Sequence, residues 1–205
     1  MLGRGENIAM RKPPTGHAAR RIAALIERLG RLARNQRYAD GLNPAQWEAL
    51  RYLAVANRYS RTPGAVAEFL GATKGTVSQT LIALEKKGLI TRRPSARDRR
   101  GVVLELARAG RTRVAMDPLL DLEAAAQSLD PPTQRALVER LTGLLGAMQA
   151  RNKFHTFGMC QTCRFFRRDG APGERGGPHR CGLTLEPLSE PEIVLICREH
   201  ETKFA

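Results

Sequence analysis

Between His17 and about Tyr38, Ile22, Leu25, Ile26, Leu29 and Leu32 recur at three-to-four spacing while arginines occupy the opposite side. That period predicts an amphipathic helix. Asn43-Pro44 opens a second helix reaching about Ala56, because asparagine caps and proline loses nothing at the first helical position. Trp47, Leu50, Leu53 and Ala54 form its apolar face. Thr62-Pro63 repeats the signal for a third helix, Pro63 to Leu70, with Val66, Phe69 and Leu70 inward and Gly71 at its end. Thr73 then caps a fourth helix ending at Gly88, and Val77, Leu81 and Leu84 share the side that must face a core.

After Gly88 the pattern becomes extended. Leu89 to Arg93 and Val102 to Leu106 predict two strands of a hairpin turning through Pro94 to Gly101. Arg108 to Ser128 predicts a long helix kinked or interrupted by Pro118, and Asp130-Pro131-Pro132 starts another that runs to about Gln149. In that last helix Leu137, Val138, Leu141, Leu144, Leu145 and Met148 form a continuous stripe, the mark of a surface that packs on a partner chain. The expected architecture is mainly α with a small β-hairpin wing: a winged helix-turn-helix with long dimerisation helices. Its parts are a flexible basic arm at 1–16, a DNA-binding and dimerisation domain at 17–152, and a small Cys-rich module at 153–205.

Charge narrows the partner. A formal net charge of +14 and 42% hydrophobic residues describe a globular chain that attracts polyanions. The excess is clustered: residues 1–39 hold nine basic side chains against Glu6 and Glu27, and Arg92, Arg93, Arg97, Arg99 and Arg100 gather around the hairpin. Clustering favours phosphate contact over a uniformly solvated surface. The outer side of the fourth helix carries Gly75, Thr76 and Gln79 flanked by Lys74, Ser78 and Thr80, small and polar as a helix in a major groove must be. Arg97, Arg99 and Arg100 at the hairpin tip suit a minor groove, with Asp98 placed to fix Arg100 and hold the hairpin's shape.

Three passages carry a family resemblance: Leu42-Asn43-Pro44-Ala45-Gln46-Trp47, Thr73-Lys74-Gly75-Thr76-Val77-Ser78, and Asp98-Arg99-Arg100 ahead of Leu106-Ala107-Arg108-Ala109-Gly110. In these the chain resembles the multiple-antibiotic-resistance regulator (MarR) family of winged-helix repressors, over roughly residues 17–152. The resemblance implies a homodimer joined through its first and last helices on a pseudo-palindromic operator in double-stranded DNA. It implies DNA contacts by Thr73, Lys74, Thr76, Ser78, Gln79 and Thr80 on the helix and by Arg97, Arg99 and Arg100 on the wing, with Gly75 allowing close approach to phosphates. It also implies a small-molecule effector of aromatic-acid type, although no pocket for one is legible in the sequence.

The chain from Arg151 to Ala205 departs from that pattern and holds every cysteine, spaced Cys160-x2-Cys163-x17-Cys181-x15-Cys197. With no signal-like or membrane-spanning apolar stretch the protein is expected in the cytoplasm, where clustered thiols serve as metal ligands or redox groups more than as disulfides. A Cys-x2-Cys turn chelates one centre. Lone Cys181 and Cys197 depart from a doubled zinc ribbon, so zinc and an iron–sulfur cluster suit the set equally. His179 and His200 are substitute ligands, the latter if Cys197 and His200 share a helical face. Arg164, Arg167, Arg168, Arg180 and Arg198 can offset the charge of the centre. His17 and His155 read as surface residues.

The function expected is a sequence-specific DNA-binding regulator, a repressor by the family's habit, whose four-cysteine centre senses metal or redox state. One alternative is a regulator answering an aromatic acid with a purely structural zinc tail. Another is a Cys-x2-Cys thiol oxidoreductase, which lacks the strand–helix alternation that chemistry needs. No nucleophile with a nearby base and no phosphate loop stands in the sequence, so no catalysis is expected.

Overall fold

The computed structural model describes residues 16–35, 41–95, 101–117, 119–152 and 154–203. The arm at 1–16 therefore lies outside the described residues except for Gly16. Local capping sets the first elements. After α1 (His17–Asn35), α2 (Pro44–Val55) begins in a complete capping box: Asn43 Oδ1 accepts from Gln46 N at 2.9 Å and Gln46 Oε1 accepts from Asn43 N at 3.3 Å. α3 (Pro63–Leu70) starts with Thr62 Oγ1 accepting from Ala65 N, and stops where Gly71 enters the left-handed region at φ 60°. α4 (Lys74–Lys86) follows at once, with Thr73 Oγ1 accepting from Thr76 N at 3.2 Å.

Trp47, Leu50 and Leu53 from α2, Val66 from α3 and Val77, Leu81 and Leu84 from α4 are buried together, so both helices of the helix-turn-helix hang on α2. The expected inward faces hold except at Phe69, which is 40% exposed. Its ring lies 4.6 Å from Tyr52 and 5.2 Å from Phe157 of the C-terminal segment, so it joins the two parts of the molecule and does not fill the main core. β1 (Ile90–Pro94) pairs antiparallel with β2 (Val102–Leu106), Ile90 opposite Leu106 and Pro94 opposite Val102. Leu104 N donates to Arg61 O at 2.7 Å, pinning this wing to the link between α2 and α3.

The long helix expected from Arg108 is two: α5 (Arg108–Val114) and α6 (Leu120–Gln127). Asp117 between them is buried, ion-paired to Arg51 of α2, and accepts from Leu119 N at 2.8 Å, so the break is held by an inward carboxylate; Pro118 lies outside the described residues. At the root of the wing a Cβ on Gly110 would sit 2.1 Å from Leu89 O, which is why α5 can start there only with glycine. α7 (Pro131–Asn152) runs beside α1, with Ile22 and Ile26 facing Leu137, Leu141, Leu144 and Met148 across an open cleft. Among the described residues α7 buries none of its side chains.

The C-terminal segment is a three-stranded antiparallel sheet, β3 (Phe166–Arg167), β4 (His179–Cys181) and β5 (Pro187–Leu188), closed by α8 (Glu190–Ile193). Its own buried core is small: Cys160, Cys163, Phe166, Leu188 and Ile193. It lies against the α2–α3 link and α3, where Tyr59 packs on that core and Phe157 packs back on the main one.

Candidate nucleic-acid interface and cysteine site

α4 is held from behind and open in front. Lys74, Gly75, Thr76, Ser78 and Gln79 are exposed along its first two turns, and Thr73 at the cap is exposed too. The hydroxyls of Thr73 and Thr76 lie 2.9 Å apart, so they order each other while their outer sides stay open. A Cβ on Gly75 would meet no protein atom closer than Thr73 Oγ1 at 3.9 Å. Internal packing therefore does not demand glycine there. Thr80 is a correction: it is only 9% exposed and its hydroxyl donates to Thr76 O at 3.0 Å, so it backs the contact face and does not form part of it.

The wing's described strands bear charge differently from the expectation. Arg92 pairs with Glu85 at 3.0 Å and Arg93 with Glu105 at 3.4 Å, so these two guanidiniums are partly neutralised by their neighbours. Arg97, Asp98, Arg99 and Arg100 lie outside the described residues. Lys87 reaches Gly41 O and Gln46 Oε1 and so ties the end of α4 to the start of α2.

All four cysteines are free thiols and all four line one cavity of about 30 Å³, whose other walls are apolar (Phe165, Phe166, Leu183, Leu188) and polar (Asn57, Tyr59, Thr184, Glu199). The turn at Cys160–Thr162 closes with Cys163 N donating to Cys160 O at 2.9 Å, which puts the two sulfurs of the motif on the same side. Cys181 ends β4 opposite Phe166, and Cys197 sits in an antiparallel bridge with Gly158. Burial and the three neighbouring thiols push Cys160 up to about 12, the reverse of the thiolate-favouring surroundings a redox nucleophile requires. Burial also raises Cys197, against hydrogen bonds from Asn57, the Glu199 backbone and Ser60 that favour its thiolate. Among the described residues no three His, Cys, Asp or Glu side chains converge closely enough to hold one metal ion.

The expected substitute ligands are engaged elsewhere. His179 is buried with Nδ1 accepting from Asp169 N at 3.1 Å and Nε2 2.9 Å from Glu190 Oε1. His200 meets Thr156 O and Thr162 Oγ1, and the stretch after Cys197 is not helical, so sulfur and imidazole share no helical face. The five arginines near the cysteines do not line the cavity either. Arg164 pairs with Glu201 at 2.7 Å, Arg167 and Arg180 donate to backbone carbonyls, Arg168 stacks on Phe166, and Arg198 makes a two-point pair with Glu68 of α3.

Sequence reasoning missed the surface that receives this module. Ile196 N donates to Val55 O at 2.7 Å, Asn57 N to Ile196 O at 2.9 Å, and Arg198 N to Ser60 Oγ at 2.8 Å. Arg58 reaches Glu192 at 2.8 Å and Tyr59 reaches Glu186 at 2.9 Å. No periodic pattern marks residues 57 to 60, because their partners come from more than a hundred positions away.

A second cavity of about 650 Å³ is lined by residues of α2, α3, α5, α6 and the α5–α6 link, among them Arg51, Tyr52, Phe69 and Asp117. Among the described residues no helix is long and apolar enough to cross a membrane.

Residues 40–101 match the model of the MarR family. Three solved structures are similar to the chain in fold. The S. aureus MepR–DNA complex is 22% identical with a TM-score of 0.53, over 66% of this chain and 99% of that one. Streptococcus pneumoniae FabT in complex with DNA is 21% identical with a TM-score of 0.52, over 65% and 96%. The transcriptional regulator SlyA is 15% identical with a TM-score of 0.51, over 66% and 96%. No match was found among curated proteins.

Proposed function

Because residues 40–101 carry a MarR-family segment in a winged-helix fold, we propose that this chain is a transcription regulator that reads double-stranded DNA as a homodimer. One observation carries the reading: α4 buries Val77, Leu81 and Leu84 while it presents Lys74, Gly75, Thr76, Ser78 and Gln79 to solvent, a rigid polar face with a bare backbone at its start. The similarly folded MepR and FabT, both solved with DNA, support it. The net charge of +14 supports a polyanionic partner.

Two such faces must lie about one duplex turn apart to engage one side of DNA, which a two-fold dimer provides. The uncovered apolar stripes of α1 and α7 support that dimer: Leu25, Leu29 and Leu32 on one and Val138, Leu145 and Met148 on the other are exposed in the single chain. The regulator acts in the cytoplasm on a pseudo-palindromic operator, as a repressor by occupying it, and the C-terminal cysteines hold a metal centre, zinc or iron–sulfur, that makes operator binding respond to metal or redox state.

Selection from a pool of random-sequence duplexes with the purified full chain tests this. Enrichment of an inverted repeat is the expected result; affinity indifferent to sequence would overturn it. A second reading is favoured by the cavity of about 650 Å³ beside α2, a size suited to a small aromatic acid. In that reading the effector alone controls binding and the tail is a structural zinc site. Benzoate-class carboxylates would then release the selected duplex from a protein whose metal is undisturbed.

A further inference from the structure

The four cysteines surround a space without closing on a point, and that difference selects the group they hold. Four thiolates on one zinc ion sit at about 2.3 Å from it and crowd each other, leaving no water-sized void between them. Here the same number of thiols rings a cavity of about 30 Å³, room for more than one water by the usual measure of about 10–15 Å³ each. No three of them converge closely enough for a single ion. Phe165, Phe166, Leu183 and Leu188 give the lining an apolar part of the kind that limits water around a multi-iron centre, beside the polar Asn57, Tyr59, Thr184 and Glu199.

The same cavity touches the DNA-reading half. Asn57 lines it and, with Ser60, hydrogen-bonds the Cys197 thiol. Cys197 follows Ile196, which bridges Ala56, and the next residue, Arg198, grips Glu68 in the last turn of α3. α3 in turn packs against α2 and α4. The route therefore runs from the cysteines into the helix-turn-helix itself.

We propose that Cys160, Cys163, Cys181 and Cys197 together ligate an iron–sulfur cluster, and that its presence, through Cys197, fixes the α2–α3 link and α3 behind the DNA-reading helix. The second half rests on the function proposed above. Loading is a ligand exchange: each protein thiol bonds one iron of an incoming thiol-ligated cluster, and its proton passes to the thiolate that leaves, with no change of oxidation state. Without the cluster, a buried core of five residues, two of them the cysteines Cys160 and Cys163, leaves the module to rest mainly on its contacts with the α2–α3 link and α3.

The full chain purified without oxygen tests the first half. Iron and acid-labile sulfide in equal amounts, with broad visible absorption that disappears in Cys197→Ser, is the expected result. Stoichiometric zinc without sulfide, or a colourless metal-free protein, overturns it, and neither outcome depends on DNA or on how the variant folds. Hydrogen exchange tests the second half on wild-type protein with the cluster present and after chelation. Amides of residues 55–60 and of α3 should exchange at least tenfold faster after removal, and Glu68→Gln, which keeps every cysteine, should narrow that ratio. Equal exchange in the two states overturns the coupling. On the selected duplex, loaded and stripped protein should differ in affinity. If neither state bound any duplex, the regulator reading would fail, while cluster and coupling would still be judged by their own readouts.

Discussion

Glycine has two opposite jobs within this small domain, and the surroundings of each decide what a methyl group does. Gly75 faces open space, so Gly75→Ala should leave thermal stability unchanged or raise it by up to about 1 kcal/mol through helix propensity. Duplex affinity should nevertheless fall, because the methyl group occupies the side from which DNA approaches; undiminished affinity in a gel shift would show that the bare backbone is not used. Gly110 meets the Leu89 carbonyl, and Gly110→Ala should cost about 1–3 kcal/mol in urea unfolding as the wing root is forced apart. Position along α4 separates Gln79 from Thr80 in the same way. Gln79→Ala should relax sequence preference, whereas Thr80→Val, behind the face, should alter stability and leave the selected sequence unchanged. The polarity of Thr80 was legible in the sequence; the direction of its side chain was not, since it lies at the edge between the two faces of the helix.

Among whole elements, α1 and α7 carry apolar side chains that the single chain leaves uncovered. Leu141→Glu with Leu144→Glu places two charges on that stripe, and sedimentation should show loss of the dimer with the winged part still folded; an unchanged dimer would put the interface elsewhere. α3 carries a different device. The Arg198 hydrogen bonds hold the Glu68 carboxyl below the usual carboxylate range, against a smaller opposing effect of burial, with His155 and Lys74 adding to the lowering. A carboxylate depressed on folding adds stability above its ordinary pKa and loses it as pH falls through its folded value. Docking of the C-terminal segment on α3 should therefore loosen in acid, below the ordinary carboxylate range. Hydrogen exchange of α3 measured against pH reads this, and Glu68→Gln should flatten the profile. The capped starts of α2, α3 and α4 were legible residue by residue, because caps and prolines act within one turn of chain. A kink or interruption at Pro118 was legible, but the pairing of Asp117 with Arg51 of a distant helix, which holds the break between α5 and α6, was not.

For the whole molecule, charge and connectivity set how binding responds to conditions. Duplex affinity should fall steeply with salt as counterions are retaken by the phosphates, and Arg99→Ala should lower the slope by about 1 if that side chain meets a phosphate. An unchanged slope would remove the wing tip from the contact surface. The same view shows why the cysteine module was only half legible. The four thiols were plain in the sequence and the structure brings them to one cavity, but the helical face expected to pair Cys197 with His200 does not form, because the chain after Cys197 is not helical and His200 meets Thr156 and Thr162.

The sequence by itself determined the capped helices α2 to α4, the apolar face of α4, the hairpin, the unpartnered stripes and the thiols, because all of these follow from periodicity, caps and composition within a few residues. Only the tertiary structure decided where the C-terminal module rests. It lies against the α2–α3 link and α3, through Ile196, Cys197 and Arg198 meeting Val55, Asn57, Ser60 and Glu68. Hydrogen bonds and ion pairs between segments so far apart in the chain leave no periodic trace, and only the packed structure brings such partners into reach.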